Sequence, residues 1–127
     1  MSITLARIDH FVLTVADIPA TCAFYERLGM EVERFGAGRI ALRFGAQKIN
    51  LHQHGAEIDP KAAAPAPGTG DFCLIVETSL DAVIQHLRDH GVQIEEGPVP
   101  RTGATGPIRS VYLRDPDGNL VEIAEYT

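Results

Sequence analysis

The second half of this chain repeats the order of elements found in the first, and that repeat narrows the available folds more than any other feature. In the first half, Ile8 to Val15 is apolar and rich in β-branched residues and reads as a strand. Asp17 can cap a helix from Ile18 to Leu28, with Ile18, Cys22, Tyr25 and Leu28 along one face and Gly29 as the stop. In the second half, Asp71 to Val76 reads as a strand, and Leu80, Val83, Ile84 and Leu87 make a helical stripe that ends at Gly91. Three strand-like segments follow each helix: Glu31 to Arg34, Ile40 to Phe44 and Lys48 to Gln53, then Gln93 to Glu96, Ile108 to Leu113 and Leu120 to Tyr126. The pattern predicts an α+β fold of two βαβββ modules.

Asp115-Pro116-Asp117-Gly118 predicts a tight hairpin between the last two strands, because Pro presets the second turn position and Gly suits the fourth. Residues 59–70 are rich in Pro, Ala and Gly without periodicity and read as an extended linker. Module one then covers about 4–55, the linker about 56–70 and module two about 71–127. A module of roughly forty to sixty residues buries too little surface to stand alone. The expectation is one domain, built by the halves packing together or by pairing between chains.

The formal net charge of −6 argues against a protein that binds nucleic acid across its whole surface. No apolar run approaches the length of a membrane span, and residues 1–8 lack the basic-then-apolar order of a secretory signal, so the chain reads as soluble and cytoplasmic. Cys22 and Cys73 each sit in an apolar stretch and read as reduced core thiols.

Three strands rich in Ile, Leu and Val each carry a residue that a purely structural strand avoids: His10, His52 and Glu122. Two histidines with one or two carboxylates and an open position suit a divalent metal such as Zn, Ni, Mn or Fe(II). The plainer readings are a core histidine for His10, a surface residue beside Gln53 and His54 for His52, and a solvent-facing carboxylate for Glu122. His86 and His90 have metal-like spacing but lie on the wet side of their helix, and Asp117 and Asn119 belong to the turn. Among Arg101, Arg109 and Arg114, Arg101 is the candidate for holding an anionic substrate. It lies in a Pro- and Gly-rich stretch, Pro98 to Gly106, that reads as a flap over a cleft. Tyr112 and Phe72 read as core.

The strand Ile8 to Val15, the helical segment Phe24 to Met30 and the run Asp115 to Ile123 resemble the vicinal-oxygen-chelate superfamily, which includes glyoxalase I, extradiol dioxygenases, fosfomycin-resistance enzymes and bleomycin-binding proteins. Phe44 to Gln53 and Glu95 to Ala104 are similar to a smaller glyoxalase-domain-containing group that includes bacterial virulence proteins. The resemblance implies half-barrel modules whose first and last strands supply metal ligands. It assigns His10, Asp71 and Glu122 to three ligand positions. The fourth falls on Asn50 or His52: alignment by the following leucine favours Asn50, whereas the better ligand chemistry of imidazole favours His52. His52 is taken as the ligand and Asn50 as a substrate-binding residue.

The activity implied is that of a lyase or isomerase in which two adjacent oxygens of a small substrate meet the cation and Glu122 moves a proton next to a carbonyl. Glutathione is a candidate co-substrate. One alternative is an Fe(II) dioxygenase with His10, His52 and one carboxylate as a facial triad. A second is a non-catalytic ligand-binding protein, weakened by the absence of Trp and by only 6% aromatic residues. Thiol transfer to an epoxide lacks a recognisable phosphonate or potassium loop. A homodimer is expected, since half-barrels leave sheet edges and apolar faces to cover.

Overall fold

The computed structural model describes residues 2–127 and divides into two compact units, one ending at Ala66 and the other Pro67–Thr127. In the first unit the order is β1 (His10–Val15), α1 (Ile18–Arg27), β2 (Glu31–Phe35), β3 (Arg39–Phe44) and β4 (Gln47–Gln53). The sheet runs β1-β4-β3-β2, with β1 parallel to β4 and the other pairs antiparallel. Asp17 caps α1 by accepting from Ala20 N at 3.1 Å, Pro19 sits in the first turn where no amide is missed, and Arg27 ends the helix. The buried helix residues are Thr21, Phe24 and Tyr25, which turns the stripe away from the one expected. Phe24 and Tyr25 carry more apolar surface than Ile18 or Cys22, and they join Leu13, Val15, Leu42, Ile49 and Leu51 in the core.

In the second unit β5 (Asp71–Ile75), α2 (Leu80–Asp89), β6 (Glu96–Thr102), β7 (Pro107–Arg114) and β8 (Leu120–Tyr126) repeat that order. The sheet is β5-β8-β7-β6, again with its first strand parallel to its last. Leu80, Ile84 and Leu87 of α2 are buried as the stripe predicts, over Val111, Leu113, Val121 and Ile123. Ser79 caps the helix through Ala82 N, and the Glu125 carboxylate accepts from Leu80 N at 2.8 Å. The hairpin forms as expected, with Gly118 N donating to Asp115 O at 3.0 Å and Gly118 at φ +84°.

Two local expectations change. The strand expected at Gln93 to Glu96 lies at Glu96–Thr102, so most of the expected flap is strand and Arg101 is a strand residue. The sheet tolerates Pro98 and Pro100 there because β6 is an edge strand, where a missing amide can face away from the ladder. The cysteines are not core thiols: Cys22 is half-buried and Cys73 is exposed on the sheet face. Smaller differences are at the ends, with β1 starting at His10 rather than Ile8. Among the described residues no helix is long and apolar enough to cross a membrane.

Candidate functional site

Pairing registers decide which side chains share a face, since alternate residues on a strand point the same way. In the first unit Leu13, Val15, Ile49 and Leu51 form the core face. His10, Val12 and Thr14 point to the other face, opposite Lys48, Asn50 and His52 on the parallel β4 strand. The antiparallel partner β3 continues these rows with Ala41 opposite Asn50 and Arg43 opposite Lys48, and Arg39 falls beside His52. In the second unit the corresponding face holds Asp71 and Cys73 on β5, with Cys73 opposite Glu122. Tyr112 and Ser110 lie next to them on β7, with Tyr112 opposite Glu122.

The two ladders repeat one geometry. His10 stands two residues before Val12, the partner of Asn50; Asp71 stands two residues before Cys73, the partner of Glu122. Within each unit, therefore, one donor near the start of the first strand lies diagonal to one donor on the last strand. At that spacing long side chains can meet on one face. His52 stands elsewhere. It pairs with Thr14, four residues beyond His10, which places it about 13 Å along the strand at roughly 3.3 Å per residue. The register brings His10 together with Asn50, not with His52.

The electrostatics separate the same residues. His10 Nδ1 hydrogen-bonds Asp9 Oδ2 at 2.7 Å, which leaves Nε2 for another partner, and the contact holds the Asp9 carboxyl below its usual range. Carboxylates commonly orient metal-binding histidines in this way. Asn50 is buried, and its Oδ1 has no hydrogen-bond partner. An orphaned buried acceptor costs on the order of 1–3 kcal/mol, so this oxygen suits a cation or a donor from outside. Glu122 is half-buried, and its Oε2 accepts from the buried Ser110 Oγ at 2.6 Å. Asp71 is exposed at the first position of β5.

His52 is buried, with Nε2 lying 3.5 Å from Arg39 Nη2. Burial first and the Arg39 charge second hold the imidazole below its usual pKa. A nitrogen lone pair that accepts from a guanidinium is a poor place for a metal ion. His10 with Asn50 in the first unit, and Asp71 with Glu122 in the second, pair donors of the kind a divalent cation takes, and His52 stands apart from His10 beside Arg39. Among the described residues no three His, Cys, Asp or Glu side chains stand close enough together to hold an ion.

Arg101 shares the Glu122 face, donating from Nε to Tyr112 Oη at 3.1 Å and from Nη2 to Glu96 Oε1 at 3.4 Å. Tyr112 and Phe72 are half-buried rather than core. Arg109 points to the helix side, where it pairs with Asp81 at 3.1 Å, and Arg114 pairs with Glu95 at 3.0 Å. His86 and His90 are exposed, as expected of a solvated helix face. Sequence reasoning missed Asp9, Ser110, Arg39 and Lys48. Only Asp9, adjacent to His10, carried a readable signal.

The model of the Glyoxalase/Bleomycin resistance protein/Dioxygenase superfamily matches residues 7–123. The glyoxalase domain-containing protein RDO1 of Mycosarcoma maydis is 52% identical over 98% of this chain and 70% of its own length. The virulence protein STM3117 of Salmonella typhimurium is 55% identical over 94% of this chain and 84% of its own. Its crystal structure superposes with a TM-score of 0.97 at 53% identity, covering 98% of this chain and 100% of that one. More distantly, the lactoylglutathione lyase of Agrobacterium tumefaciens superposes with a TM-score of 0.74 at 26% identity, covering 96% of this chain and 95% of that one. With paired βαβββ units and a family match over nearly its whole length, the chain belongs to the glyoxalase/bleomycin resistance/dioxygenase superfamily.

Proposed function

We propose that this chain is a metal-dependent lyase or isomerase of the glyoxalase kind, with His10 and Asn50 in the first unit, and Asp71 and Glu122 in the second, as candidate ligands and Glu122 as the proton carrier. The observation that carries the reading is the repeated diagonal geometry, His10 to Asn50 and Asp71 to Glu122, with an unpartnered buried oxygen on Asn50. In this reading Asn50, expected to bind substrate, takes the place that ligand chemistry gave to His52, and the three positions implied by the resemblance stay as they were. One imidazole among oxygen donors favours Mn or Fe(II) over Zn.

A divalent cation held by these residues would stabilise negative charge on substrate oxygens as it develops. The residues of the chain do the rest. Glu122 takes a proton from the carbon next to a carbonyl and returns it to the neighbouring carbon, so that the substrate is isomerised with no net change in protons. Ser110 fixes one carboxylate oxygen of Glu122 and leaves the other for that transfer. Arg101, held by Tyr112 and Glu96, supports a role in substrate binding. The resemblance to a lactoylglutathione lyase keeps glutathione as a candidate co-substrate. A facial triad for dioxygen chemistry would need His52, and the Arg39 contact argues against that. A cytoplasmic homodimer acting on a small molecule, without nucleic acid or membrane, completes the proposal.

The test is elemental analysis of the purified protein beside His10→Ala, Glu122→Ala and His52→Ala. Near-stoichiometric metal in the wild type and in His52→Ala, lost in the other two, is the expected result. A wild type that takes up no Mn, Fe(II), Ni or Zn on reconstitution would sink the reading in favour of a non-catalytic binding protein.

A further inference from the structure

The sheet face that carries His10 and Asn50 also carries an assembly of cations with no assigned work. Arg39 lies on β3 beside His52, and Lys48 lies on β4 opposite His10. Both extend over one aromatic ring: the Arg39 guanidinium carbon is 4.8 Å and the Lys48 ammonium 3.7 Å from the Phe35 centroid. The third cation of the face, Arg43, is already neutralised by Glu33 at 2.5 Å. Arg39 and Lys48 have no ion pair among the described residues. The nearest carboxylates act on them only at longer range: Asp9 and Glu33 feel Lys48, and Glu57 stands near His52.

Two cations drawn together over one ring repel each other, and in a chain of net charge −6 carboxylates were available to separate or neutralise them. A second observation points the same way. Arg39 Nε is buried and has no hydrogen-bond partner, while Nη2 of the same guanidinium lies 3.5 Å from His52 Nε2. Beneath the face thus lie a buried, unsatisfied donor at Arg39 and, on the adjacent row, a buried, unsatisfied acceptor at Asn50. A guanidinium with an unsatisfied donor and an ammonium at the same ring can take an oxyanion, because a guanidinium matches two oxygens and the second cation adds charge.

We propose that Arg39 and Lys48, with His52 orienting Arg39, form a binding site for the oxyanion end of the substrate, a carboxylate or a phosphoryl group. The idea deepens the lyase reading and rests on it for the view that this anion belongs to the substrate. His52 and Asn50 are two residues apart on β4, about 7 Å at roughly 3.3 Å per residue. The substrate class is therefore a small acid whose anionic group lies only a few bonds from the oxygens that meet Asn50. A neutral substrate does not fit.

The experiment uses the full chain stripped of metal with a chelator and labelled with nitrogen-15, titrated with lactate and, separately, with inorganic phosphate. The expected result is a saturable shift of the Arg39 Nε–H and His52 ring signals. Binding should be at least tenfold weaker in Arg39→Gln and several-fold weaker in Lys48→Gln, while both variants keep the metal content of the wild type. Tighter binding of lactate assigns a carboxylate, tighter binding of phosphate a phosphoryl group, and either supports the site. No saturable shift with either anion overturns it, as do shifts unchanged in a variant whose remaining amide spectrum matches the wild type, or shifts confined to Arg101. Lys48→Gln keeps the test decisive if Arg39→Gln fails to fold. Anion binding by a chain that holds no metal would refute the lyase reading alone, and metal without anion binding would refute only this proposal.

Discussion

Cys73 and Glu122 face each other across the parallel β5–β8 ladder, so a thiol looks directly at the carboxylate expected to move a proton. Desolvation by the sheet first, and the Glu122 charge second, push the thiol up to about 11 from its ordinary 9.0. Raising a thiol pKa disfavours the thiolate, so below pH 11 the reactive form is scarce. At pH 8 alkylation of Cys73 should be roughly a hundredfold slower than that of an ordinary thiol, with the rate climbing until about pH 11. Glu122→Gln removes only the charge contribution, so it should lower the midpoint and speed alkylation at pH 8 several-fold. An unchanged pH–rate profile in that variant would mean that the carboxylate is not charged beside the sulfur.

Asn50 and His52 point to one face of β4 yet have opposite surroundings, an orphaned oxygen for one and a guanidinium for the other. Asn50→Ala should therefore weaken divalent metal binding at least tenfold, and His52→Gln should change it less than twofold. Asp9→Asn, which loosens the His10 ring without removing a ligand, should cost roughly 10- to 100-fold in affinity. Calorimetric titration with Mn measures all three. Equal losses in Asn50→Ala and His52→Gln would count against the register argument.

That pair also marks how far the chain could be read without coordinates. Both βαβββ modules and the last hairpin were legible, because helix stripes, strand runs and Asp-Pro-Asp-Gly are local signals. The heights of Asn50 and His52 against β1 were not. Period-two alternation fixes the face of a strand residue but says nothing of its height against a parallel neighbour 38 residues away, and that height follows from how β1 and β4 pair. The expected loop around Arg101 proved to be strand for the complementary reason. Pro98, Pro100 and Gly103 read as loop chemistry, and only the strand order reveals an edge where prolines are allowed.

Asn119 was read as part of the turn, and it does more. Its Nδ2 donates to Asp115 Oδ2 at 2.8 Å, and its Oδ1 accepts from Gly70 N at 2.7 Å, tying the hairpin to the residue before β5. Leu120 N returns a bond to Gly70 O at 3.0 Å, so this clasp sets where Asp71 begins relative to Glu122. Asn119→Ala leaves the Asp115 carboxylate and the Gly70 amide short of a partner. A loss of about 1–3 kcal/mol in denaturant unfolding is expected, together with weaker metal binding. Unaltered stability would show that water replaces both bonds at no cost.

Gly97 lies at φ +108°, where the β6–β7 register shifts between Glu96 and Val99. A β-carbon there would run into the Ser110 carbonyl oxygen, and backbone on both sides leaves no flexible atom to yield. The conformation alone should cost Gly97→Ala about 1–3 kcal/mol, and the contact adds to it. The consequence reaches the site, because Ser110 donates to Glu122 and Arg101 lies four residues beyond Gly97 on the same strand. Relief of the clash by moving Ser110 would release the Glu122 oxygen it holds. Gly97→Ala should therefore lower the unfolding midpoint and also speed Cys73 alkylation less than Glu122→Gln does, since the carboxylate is displaced rather than removed. A variant as stable as the wild type, with the same thiol reactivity, would show that β6 shifts freely and does not hold Ser110 in place.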